Sequence, residues 1–121
     1  MLLWDTVLVH SQAELEMLSQ RDINTFKELE KEALRLLPEN NVLPVVDQRL
    51  YLNKDGSWDA RFMMSGYSLG KLSLRDLLKQ YVVAVSGVEP TAFQMVNYEA
   101  EVLDRLIESL RQSVASLKAS Y

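Results

Sequence analysis

The stretch "VDQRLYLNKDGSWDARFMM" (residues 46–64) decides how the chain folds. Val46, Gln48, Leu50 and Leu52 fall on one side of an extended backbone, and Trp58, Ala60, Phe62 and Met64 on one side of a second. Both runs alternate with the two-residue period of a β-strand. Between them stand Lys54, Asp55 and Gly56. If Asn53 pairs with Ser57 across these three, Leu52 meets Trp58, Leu50 meets Ala60, Gln48 meets Phe62 and Val46 meets Met64. A two-residue Asp55-Gly56 loop would set Leu52 against Asp59 instead, and a slip of one residue turns a whole side-chain set over. The three-residue loop is therefore expected, with Gly56 in the left-handed position of a G1 bulge.

The same loop is not a calcium site. With Asp55-Gly56 at the fifth and sixth positions of an EF-hand loop, Tyr51 and Phe62 occupy the first and twelfth, where carboxylates are needed. The following "GYSLGKLS" (66–73) is not a phosphate loop. Three residues rather than four separate Gly66 from Gly70, and Leu72 rather than Ser or Thr follows Lys71. In outline, residues 51–80 (strand, Asp-Gly turn, strand, glycine-bounded loop, helix) loosely resemble HicB-type antitoxin domains. The likeness stops there. The second strand does not end in proline-glycine, and no C-terminal DNA-binding segment follows.

Outward from the hairpin the patterns are helical. Upstream, "SQAE" (11–14) has the form of a capping box before a short helix near 12–20, and "TFKE" (25–28) repeats it before a helix over 25–37. "DIN" (22–24) is expected to bend the chain between them, and Pro38 to end the second. "LLWDTVLV" (2–9) reads as a short strand, with a helical turn as the alternative. Downstream, Ser73 caps a helix that ends near Gly87, and Pro90 opens the last helix in its first turn. In that helix Phe93, Val96, Ala100, Leu103, Ile107, Leu110, Val114, Leu117 and Tyr121 follow alternating steps of three and four. The fold class is thus α+β: an antiparallel β-hairpin or small sheet packed on helices, with a long amphipathic C-terminal helix, in a single domain over 1–121.

Composition narrows the function. The 121 residues are 48% hydrophobic and 25% charged, with a formal net charge of −4, as in ordinary globular chains and unlike basic nucleic-acid binders. Residues 41–80 alone carry more basic than acidic side chains, six against four. There is no cysteine, so thiolate metal sites and disulfides are excluded, and a reducing, cytoplasmic setting fits. No signal peptide and no membrane span are expected. His10 is the single histidine and no G-x-S-x-G marks a nucleophile. Glu101, Asp104 and Glu108 share a helix face with Arg105 and Arg111 nearby, which reads as a solvated surface rather than a carboxylate metal site.

These observations favour a non-enzymatic protein-interaction module, an adaptor, regulator or inhibitor, with no cofactor or metal. The partner is expected to be another protein, met by Arg49, Tyr51 and Arg61 on the outward face of the hairpin and by a basic stripe of Lys71, Arg75 and Lys79. A nucleic-acid-binding regulator using the basic 49–79 region is the alternative, and an enzyme built on carboxylates and His10 is a third class. A homodimer is expected through Leu103, Ile107, Leu110, Val114 and Leu117, because a helix of that length overshoots a compact globule. The competing arrangement folds the upstream helices over the same stripe.

Overall fold

The computed structural model describes residues 18–62 and 64–120, the side chains of 96 and 97 excepted. The expected strand over 2–9, the capping box at Ser11–Glu14, most of the helix near 12–20, and His10 lie outside them. The fold is α+β. Helix α1 (Gln20–Leu36) leads into strands β1 (Val42–Val45), β2 (Leu50–Asn53), β3 (Trp58–Phe62) and β4 (Ser65–Gly70). Helices α2 (Leu74–Ser86) and α3 (Ala92–Ala119) follow. The strands form one antiparallel sheet in the order β1-β2-β3-β4.

The hairpin has the register its alternation requires. Leu50 pairs with Ala60 and Leu52 with Trp58. The Asn53 N–H donates to Ser57 O (2.8 Å) and the Gly56 N–H to Asn53 O (3.0 Å), closing the three-residue loop. Gly56 takes φ +90° there. Beyond Leu50 the expected pairing fails: Gln48 does not face Phe62, nor Val46 Met64. Val46, Asp47 and Gln48 instead turn with φ of 53°, 52° and 65°, and β1 folds back beside β2. Leu43 and Val45 thereby join Leu50 and Leu52 on the buried side of the sheet. The glycine-bounded segment 65–70 is likewise a fourth strand rather than a loop. Its glycines hid the strand, since glycine neither alternates nor favours β structure.

α1 begins before Thr25. Ser19 is its N-cap, its side chain accepting from the Asp22 N–H (3.3 Å), and Asp22, Ile23 and Asn24 are helical rather than a bend. The Thr25 hydroxyl, read as a cap, donates back to Arg21 O (2.9 Å) inside the helix. The helix ends where Leu37 turns extended before Pro38, as sterics before proline require. Thr91 and Gln94 form a reciprocal capping box on α3, so Pro90 precedes the cap instead of entering the first turn. Ser73 and Gly87 bound α2 as expected.

The core lies between the sheet and the helices. Trp58, Leu50, Leu52, Phe26, Leu77 and Leu78 meet Leu103, Leu106 and Leu110 there. Glu30 of α1 lies by the Trp58 indole, and burial raises its carboxyl above the ordinary range against the opposing pull of Trp58 and Lys27. α3 packs against α1, α2 and β1. Its buried surface is correspondingly wider than a heptad stripe: Met95, Val102 and Leu106 are buried, while Ala100 is exposed. Leu103 and Leu110 are fully buried, Ile107 and Val114 nearly so, and Leu117 packs on the core's edge. The expected homodimer face is therefore core of the single chain, covered by α1 and β1.

Candidate functional site

The corner where the 46–49 turn, the far end of β3 and the C-terminal end of α2 converge carries the expected contact residues. Arg49 ends the turn. Its Nη1 donates to the carbonyls of Ala84 (3.0 Å) and Val85 (3.4 Å). These belong to the last turn of α2, which has no basic residue of its own. Arg49 thus supplies the positive charge that the negative helix end favours. The turn is held from below as well. Val46 N–H donates to the Ser109 hydroxyl (2.8 Å), and the Ser113 hydroxyl donates to Pro44 O (2.7 Å). A β-branched residue at positive φ is strained, so these bonds and the burial of Val46 fix a conformation the local sequence disfavours.

Arg61 lies opposite Arg49, its N–H donating to Arg49 O (2.9 Å). Its guanidinium sits 4.9 Å from the centre of the Tyr51 ring, a cation–π contact on the open side of the sheet. Arg49, Tyr51 and Arg61 are therefore grouped, although Arg49 turns its side chain to α2 instead of standing outward beside Arg61. The basic stripe is not assembled. α2 starts at Leu74, which leaves Lys71 ahead of the cap. Arg75 pairs with Glu99 (3.4 Å) and Lys79 with Glu89 (2.8 Å), so both charges are answered. Lys79 is held above the ordinary lysine range by its hydrogen bond and charge pairing with Glu89. Lys71 lies near the hairpin loop, where its charge adds to the Ser57 hydrogen bonds that lower the Asp55 carboxyl.

Sequence reasoning missed the apolar part of this corner. Phe62 (54% exposed) and Tyr67 (53%) lie on the side of the sheet that faces the helices, yet beyond the cover of α2, and Val85 (50%) projects from the end of that helix. Phe62, Tyr67, Leu69, Ala60, Val83 and Ala84 line a groove of about 280 Å³, to which Arg49 and Arg61 also contribute. The alternation over 58–64 reads as buried along its whole length, so no signal in the sequence marked this exposure. Among the described residues no cluster of His, Cys, Asp or Glu is placed to hold a metal, and no helix is long and apolar enough to cross a membrane. The chain matches no protein-family model, no curated protein and no solved structure.

Proposed function

We propose that the chain is a small protein-interaction module of the adaptor, regulator or inhibitor kind, and that it docks its partner at the α2–sheet corner. The observation that carries this is the exposure of Phe62, Tyr67 and Val85 around Arg49, Tyr51 and Arg61. Aromatic and arginine side chains are enriched at interface centres, and clustered exposed apolar groups mark contact sites. The groove accepts an apolar side chain, and the Arg61 guanidinium suits a carboxylate beside it. The ion pairs of Arg75 and Lys79 leave no contiguous cationic stripe for a nucleic acid.

The test is capture from native host extract followed by titration of the recovered partner. Phe62→Ser, Val85→Ser and Arg61→Ala together should weaken binding tenfold or more while leaving the circular dichroism unchanged. A partner held equally by the triple variant would place docking elsewhere. Binding of nucleic acid whose log affinity falls linearly with log salt would replace this reading by the phosphate-binding one.

A further inference from the structure

The two edges of the sheet are managed differently. On the β1 edge, Pro44 has no N–H to offer, and its carbonyl takes the Ser113 hydroxyl. On the β4 edge, Ser65 to Ser68 are all exposed, and the strand contains neither proline nor any charged side chain. Unprotected edges of this kind pair with another strand. Its free groups can be assigned. Asn53 N–H bonds Ser57 O and Arg61 N–H bonds Arg49 O, so odd-numbered residues of β3 turn their backbone groups to β2 and even-numbered ones to β4. Ala60 and Phe62 pair with Tyr67 and Ser65, which therefore spend theirs on β3. Gly66 and Ser68 face outward with N–H and C=O unspent on the sheet.

We propose that β4 pairs antiparallel with β4 of a second copy of this chain, across a two-fold axis at Tyr67, joining two four-stranded sheets into one. This reading rests on the strand edge and not on the docking proposed at the α2 corner, although Phe62, Tyr67 and Leu69 belong to both surfaces. In that register Gly66 and Ser68 exchange backbone hydrogen bonds with the partner's Ser68 and Gly66. Tyr67 meets its own copy at the close, non-hydrogen-bonded position, where side-chain contact is strongest. Phe62, Tyr67 and Leu69 stay on the helix side in both copies and extend the apolar layer across the axis. On the open side the row runs Asp59, Ser68, the partner's Gly66, the partner's Arg61, and the same in reverse. Opposite charges thus end each row with only small residues between them, and no like charges meet. A two-fold contact uses one patch twice, which this arrangement satisfies.

Light scattering at tens of micromolar tests the pairing. Wild type should give twice the 13.9 kDa chain mass. Gly66→Lys places a cation on each copy beside the axis. A side chain at Gly66 meets nothing within 4 Å, so the fold survives and the protein should become monomeric. Ser68→Pro removes an outward N–H without touching the β3 ladder and should do the same; if it unfolds, Gly66→Lys decides. Val85→Ser should leave the dimer intact. A monomeric wild type, or a dimer that persists in Gly66→Lys, overturns the proposal.

Discussion

Gly56 occupies φ +90°, and a side chain built there approaches only Leu34, at 4.0 Å. Space is therefore available, and the cost of substitution is backbone strain. Gly56→Val should lower stability by about 1–3 kcal/mol in urea unfolding, the cost of holding a branched residue in a sparsely populated region. Asp55→Ala should cost less, because Asp55 is exposed and gives up only its bonds from the Ser57 N–H (2.9 Å) and hydroxyl (2.6 Å). Added calcium should leave the melting temperature unchanged. Glu99 behaves in the opposite sense from Asp55. It is 5% exposed, its Oε2 has no hydrogen-bond partner among the described residues, and burial pushes its carboxyl above the ordinary range against the pull of Arg75. A carboxyl harder to ionise folded than unfolded loses stability as pH rises through its raised pKa. Below the ordinary carboxylate range both states hold the proton and the loss disappears. Glu99→Gln should accordingly raise the melting temperature near neutral pH and leave it unchanged in acid. A drop at neutral pH would mean that the Arg75 pair outweighs the burial.

At the scale of elements, the 46–49 turn separates what the sequence shows from what it conceals. The hairpin over 50–60 was legible because two alternating runs and one Asp-Gly allow a single register. The turn was not, because Val46, Asp47 and Gln48 carry none of the glycines that mark left-handed backbone. Their conformation comes from partners far along the chain, Ser109 and Ser113 of α3 and the end of α2. The contact residues divide the same way. Arg49, Tyr51 and Arg61 could be grouped from strand register alone, whereas the fate of Lys71, Arg75 and Lys79 depended on where α2 begins and which acids approach it. The turn also makes a measurable claim. Gln48 is exposed at φ +65°, so Gln48→Gly relieves strain of about 1–2 kcal/mol while adding unfolded-chain entropy worth roughly half of that. The variant should be more stable than wild type by up to about 1 kcal/mol. A loss of stability there would show that the glutamine side chain itself holds the turn.

For the whole molecule the question is where α3 spends its apolar surface. Its 28 residues run roughly 42 Å at about 1.5 Å per residue, longer than a compact globule of this size is wide. The overshoot does not leave a bare stripe, because α1 lies along its C-terminal half, tied there by the Lys118–Glu32 ion pair, and β1 covers the adjoining face. Heptad spacing alone could not tell a partner helix in the same chain from one in a second copy, since both pack by the same side-chain geometry. Leu110 distinguishes them. As a dimer contact its loss would split the assembly and leave the subunit standing; as core its loss opens a cavity. It is fully buried within one chain. Leu110→Ala should therefore cost about 2–5 kcal/mol, the range for a buried leucine whose surroundings relax incompletely. That cost should be independent of protein concentration in samples of Gly66→Lys, in which the proposed strand pairing is blocked. A concentration-dependent cost in that background would return the stripe to an interface between chains.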